Sequence, residues 1–267
     1  MVFDFFRRRR RDRWRAQPFP PTWRAYVDRN IPLFARLSAA EQAEVLGHAH
    51  VLLAEKHFEG CGGLEMTDEI RVTIAVQAAR LLLHRDEDYF PTVKSVLVYP
   101  AAVAHERVEH LGGGIVEESE TAAAGLATGR MSAIVLAWDS VTHGLTEHDD
   151  ARDVILHEFA HELDYQDRSF DGTPLLSSLV AYGAWARTMQ SEFETLQAAV
   201  AKGRRTVIDE YGATNPAEFF AVLTEHFFER PDELRSRHSE LYDLLREFYL
   251  QDPATAAAEP PPPPRAP

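Results

Sequence analysis

The sequence predicts an α+β fold, mostly helical with a small β-sheet. Three observations carry this. Apolar residues recur at helical spacing in "SAAEQAEVLGHAHVLLAEKHF" and "TDEIRVTIAVQAARLLL". Two short stretches, Thr92–Pro100 and Met131–Val141, are rich in β-forming residues. From about Thr146 to Gln251 the pattern is helical again, so a few strands stand among many helices.

Taken in order, residues 1–20 open with "FFRRRRRDRWR" and end in prolines. They read as a basic flexible arm, either a solvated tail or an arm for a membrane surface or a partner. Ser38 and Glu41 stand at capping-box spacing ahead of the first long helix. Thr67 is placed to cap the second, whose Ile70, Ile74, Ala78 and Leu81 share one face. "TVKSVLVYP" alternates as a strand should, and "MSAIVLAWDSV" reads as another. Gly112-Gly113-Gly114 reads as a turn and not a phosphate cradle, because no Lys-Ser/Thr pair follows it. One domain over residues 21–252 is expected, helical and strand-rich to about 145 and helical beyond. The proline-rich residues 253–267 are expected to form a disordered tail.

Composition excludes several classes. A formal net charge of −14 argues against nonspecific binding of nucleic acid by the body of the protein. The single cysteine, Cys61, rules out an internal disulfide and reads as a small residue beside a Gly-Gly turn. No run approaches the ~18 apolar residues of a membrane helix, and the apolar residues at the start precede the arginines instead of following them. A cytoplasmic setting is the expectation.

The chemistry concentrates in "HEFAHELDYQD", His157 to Asp167. On a helix His157 and His161 lie one turn apart on one face, where two imidazoles can hold one zinc ion. Glu158, offset by one residue, misses the metal and reaches a water beside it. The alternative is an ordinary buried helix that carries two histidines. The pairs His48/His50, His105/His110 and His143/His148 have spacings that do not converge and read as surface or locally bonded.

A catalytic zinc needs a third protein ligand. Asp167 stands where one class of zinc protein has a histidine, but Asp164 occupies the place of that class's turn glycine. The other source is "NPAEFFAVLTEHFFE", a helix with Asn215 at the cap and Pro216 at its first position. Glu218 falls at the capping-box position, so it is either a cap carboxylate or the ligand. Glu225 lies two turns on, placed to accept a histidine N–H. Asp164 is either an acceptor that orients an imidazole or a helix-end carboxylate.

"HEFAHELD" together with "YGATNPAEFFAVLTEHFFE" resembles the Mlc titration factor A family of bacterial zinc peptidases. The likeness runs over roughly residues 20–252 and takes in "RVTIAVQAARLLL" and "FYLQDP". "YGATNPAE" is also similar to the metalloprotease domain of anthrax lethal factor. The resemblance implies a zincin-like fold of the gluzincin type, with the sheet beside the metal-binding helix. It implies one zinc per chain on His157, His161 and Glu218, Glu158 as general base, and Tyr211 as a hydrogen-bond donor to the transition state. It implies a peptide or protein substrate, cleaved by aminopeptidase-type chemistry, and a link to a transcriptional repressor similar to Mlc. Two rival functions remain open at this point. One is a non-catalytic protein that sequesters a repressor, with a structural or vestigial zinc site. The other is a zinc hydrolase of a non-peptide amide.

Overall fold

The computed structural model describes residues 2–85, 88–101, 133–147 and 150–256. The expected glycine turn at 112–114, His105, His110, His148 and residues 257–267 of the tail lie outside them.

Helix α1 (Val2–Arg15) opens the chain, followed by α2 (Pro21–Asn30) and α3 (Ala39–Glu55). The Ser38–Glu41 capping box forms in both directions: the Ser38 hydroxyl accepts from Glu41 N at 3.3 Å, and the Glu41 carboxylate accepts from Ser38 N at 2.8 Å. The segment expected as a flexible arm is therefore mostly helix. Its physical anchor is Arg11, which donates to both Glu55 oxygens at 2.9 and 2.7 Å and to Asp88 at 2.5 Å. Arg11 also lies over the Tyr89 ring. A guanidinium held by two carboxylates and an aromatic face is a strong local anchor even at the surface.

The helical reading of α3 overran its end. His57–Gly60 forms strand β1, parallel to β2 (Ser95–Tyr99), which is parallel to β3 (Ala133–Ala137). Helix α4 (Asp68–Arg80) makes the crossover between β1 and β2, as parallel pairing requires. Thr67 caps α4, accepting from Ile70 N at 3.3 Å. That helix is buried at Ile70 and continuously from Val72 to Arg80, not along one face. It is the central helix of the core.

The second expected strand was too long. After β3 the chain turns into α5 (Trp138–Thr146). Val141 and Leu145 are both buried, four residues apart, so the β formers here line the inner face of a helix. Then follow α6 (Val154–Asp164), α7 (Leu179–Val200), α8 (Pro216–Glu229), α9 (Pro231–Arg237), α10 (Ser239–Tyr249) and a last turn, α11 (Pro253–Ala256). Buried Phe219, Phe220, Phe227 and Phe228 seat α8 in the core. Helix α6 packs against α8 and touches β3. The fold is thus α+β and mostly helical, with a three-stranded parallel sheet among the described residues.

Candidate metal centre

The centre is built where α6 crosses α8. Asp153 starts α6, its Oδ1 accepting from Ile155 N and Leu156 N at 3.0 Å each. Its other oxygen takes Gln77 Nε2 from α4, and Gln77 Oε1 accepts from Arg80 at 3.0 Å. Burial pushes the Asp153 carboxyl up to about 7. An aspartate directly before the apolar run "VIL" is a readable N-cap signal. Gln77 and Arg80 carry no local signal, because their role depends on a helix 76 residues away in sequence.

His157 is buried. Its Nδ1 donates to Glu225 Oε1 at 2.7 Å, and the other Glu225 oxygen accepts from Asp153 N at 2.6 Å. With Nδ1 protonated, Nε2 presents a lone pair. That Nε2 lies 3.2 Å from His161 Nε2 and 3.0 Å from Glu218 Oε2. His161 Nε2 is 3.3 Å from the same carboxylate oxygen. Glu225 thus lies within hydrogen-bond distance of a histidine ring nitrogen.

Glu218 resolves into two roles. Its backbone N–H donates to the Asn215 cap at 3.0 Å, while its carboxylate turns toward the imidazoles. Burial works to raise the Glu218 carboxyl, but the hydrogen bonds to His157 and His161 overcome it and hold it at about 2. Burial likewise opposes charge on His157, yet Glu225 and Glu218 push its pKa well up. Donor atoms this close need a proton or a metal ion shared among them. Their separations of 3.0–3.3 Å are slightly shorter than the ~3.3–3.4 Å edges of a tetrahedron around an ion at ~2.0–2.1 Å, so a small outward shift would seat one. The donor set fits a divalent cation, and His157, His161 and Glu218 form the candidate metal group among the described residues.

Glu158, the residue after His157, has a buried oxygen with no hydrogen-bond partner among the described residues. Burial pushes its pKa up, against the pull of His157 and His161. Tyr211 lies on a short 3-10 turn, Glu210–Ala213, held by Asp209, whose Oδ1 accepts from Tyr211 N at 2.9 Å. Its ring centroid is 6.0 Å from that of His157. Its hydroxyl is buried without a described partner, and burial together with Glu218 and Glu158 pushes its pKa well up. It keeps its proton beside the Glu218 carboxylate. A cleft of about 350 Å³ opens beside His157 and Tyr211, with Asp139, His143, Arg152 and Asp209 on its walls.

Two candidates do other work. Asp164 orients neither imidazole and is not exposed. Fully buried, it accepts from Gly172 N at 3.0 Å and Thr173 N at 2.8 Å, so it pins the loop after α6. That loop carries Phe170, which stacks on Tyr165 and meets the edge of His161. Asp167 accepts from Ser169 N at 2.8 Å and lies outside the metal group. The chain does reverse without a glycine, through Arg168 at φ 71°, but only after the aspartate has turned outward. Of the other histidines, His48 bonds the Tyr89 hydroxyl at 2.7 Å and His50 packs against Phe19 and Trp23. Glu162, unremarked in the sequence, is buried one turn beyond Glu158 and accepts from Thr92.

Two histidines a turn apart on one helix and a carboxylate from a second helix form a group that could hold a metal ion, as a metallopeptidase requires. Residues 5–250 match the profile of the glucose-regulated metallo-peptidases M90, and the chain belongs to that family. It is 38% identical over 237 residues to the uncharacterized protein slr2042 of Synechocystis sp., covering 89% of this chain and 86% of that one. It is 28% identical over 229 residues to the Mlc titration factor A of Yersinia pestis, covering 84% and 83%. The Mlc titration factor A of Yersinia pseudotuberculosis is similar to the same extent.

Proposed function

We propose that the chain is a zinc-dependent peptidase in which His157, His161 and Glu218 hold one zinc ion. The observation that carries this reading is the convergence of three donor atoms within 3.0–3.3 Å, with Glu158, adjacent to His157 in the chain, holding a buried oxygen that has no partner among the described residues. Imidazole and carboxylate donors in tetrahedral spacing suit zinc over harder cations. A bound zinc ion polarises a carbonyl and acidifies water.

The protein's own groups then have defined work. Glu158 takes the proton of the attacking water and passes it to the leaving amine; burial raises its pKa, which favours holding that proton in transit. Tyr211 donates a hydrogen bond to the carbonyl oxygen as negative charge develops there, an effect worth up to ~3 kcal/mol. Glu225 keeps His157 in the tautomer that presents Nε2. Strand β3, which has a strand partner on one edge among the described residues, is a template for an extended peptide. Aminopeptidase-type cleavage of short peptides is the form of activity we infer.

The test is elemental analysis beside a peptide-hydrolysis assay. About one zinc per chain is expected in the native protein, lost in Glu218→Gln and kept in Asp167→Asn. No zinc after reconstitution would sink the metal assignment. A second reading rests on the name of the Yersinia relatives, Mlc titration factor A. In it the chain binds a repressor similar to Mlc, with or without hydrolysis. Repressor capture that survives Glu158→Gln separates binding from catalysis.

A further inference from the structure

Helix α1 plays no part in the metal centre, and its outer face is chemically unlike the rest of the surface. Residues 1–15 hold seven arginines and two aspartates, in a chain whose formal net charge is −14. One side of the helix is committed to the protein. Arg7 pairs with Asp88 at 3.0 Å, Arg11 with Glu55 and Asp88, and Trp14 packs on the core. At 100° per residue the opposite stripe carries Phe5, Arg9 and Arg13, with Phe6 and Arg8 on its flanks.

These residues are free. Phe5 and Phe6 are 56% and 62% exposed, the only phenylalanines left so among the described residues. Their ring centroids are 5.8 Å apart, and the Arg9 guanidinium lies 5.4 Å from the Phe5 ring centre. Arg8, Arg9 and Arg13 make no ion pair with a described residue. A helix that buries its anchor face and still offers two adjacent phenyl rings among unpaired arginines is built for an interface that is both apolar and anionic. A phosphate backbone would satisfy the arginines and leave the rings in water. An acidic protein surface has no place for both rings without a hydrophobic pocket.

We propose that this outer face of α1 docks the protein on an anionic lipid surface, with Phe5 and Phe6 entering the headgroup region and Arg8, Arg9 and Arg13 contacting lipid phosphates. The inference does not rest on the peptidase reading. The acidic remainder of the chain is repelled by such a surface, so attachment is peripheral and salt-sensitive. No described helix is long and apolar enough to cross a membrane.

The test is co-sedimentation of the full chain with vesicles of phosphatidylcholine alone or with about 30% phosphatidylglycerol, in about 0.1 M salt. Wild type is expected to sediment with the anionic vesicles only, and to be released at about 0.5 M salt. Each arginine near such a surface contributes about fivefold to partitioning, so Arg9→Glu with Arg13→Glu should lower it by at least about 25-fold. Phe5→Ser with Phe6→Ser should lower it about tenfold. Both pairs are exposed, and unchanged melting curves would show that the fold is intact. Failure of wild type to bind anionic vesicles overturns the proposal. So does binding indifferent to the phenylalanine pair, or arginine-dependent binding to duplex DNA without binding to vesicles.

Discussion

Glu225→Gln tests the most consequential contact around the metal centre. The native carboxylate accepts two hydrogen bonds, from His157 Nδ1 at 2.7 Å and Asp153 N at 2.6 Å. Glutamine keeps one acceptor oxygen and turns an NH₂ toward the second donor. The loss is one charge-assisted bond of about 1.5–3 kcal/mol, plus a buried donor left unmatched, so about 2–4 kcal/mol in all. For a chain of this size that is roughly 4–12 °C in Tm. Losing the carboxylate also releases the Nδ1–H tautomer of His157, and metal affinity should fall about 10–100-fold. The measurements are zinc competition with a calibrated chelator and calorimetric melting of the metal-free protein. A variant with wild-type zinc affinity and wild-type Tm would refute the claim that Glu225 orients His157 and holds the start of α6.

Glu158→Gln should retain the metal and lose hydrolysis by at least about 100-fold, measured as peptide turnover at saturating zinc; near-normal turnover would remove Glu158 as the base. Tyr211→Phe should fold and load metal normally while kcat drops by about 10²-fold, since its buried hydroxyl has no described structural partner to lose. Asp164→Asn should leave zinc affinity within a few-fold but loosen the loop it pins through Gly172 and Thr173, seen as faster proteolysis near Phe170; a large loss of zinc with an intact loop would contradict this. His226 gives a pH signature. Burial lowers its pKa from 6.5 to about 4, so between those values the unfolded chain binds more protons and stability falls with falling pH. From pH 7 to 5, wild type should lose about 2 kcal/mol that His226→Leu does not, by urea denaturation at each pH.

Local rules were legible in the sequence and long-range ones were not. The Ser38–Glu41 box, the Thr67 and Asn215 caps and the His157–His161 face all depend on neighbours within four residues, and all form as read. Strand β1 was hidden because His57–Gly60 continues an apolar helical pattern and becomes a strand only through β2. The overlong strand ending at Val141 failed for the converse reason: residues that favour strands also suit the inner face of α5.

The sequence by itself determined that one helix carries two imidazoles on one face with a glutamate beside them, since helical geometry alone brings His157 and His161 together. It left two carboxylates as candidates for the third donor, Asp167 shortly after that helix and Glu218 on a second one. Only the tertiary structure decided that Glu218 gives its backbone to the cap and its side chain to the histidines, 57 residues from His161. The packing likewise turned Asp164 toward a loop and made the arginine-rich start a docked helix. Each of these choices compares one polar partner with another across the fold. A buried carboxylate goes to whichever donors the packing brings within reach, and periodicity holds no record of that.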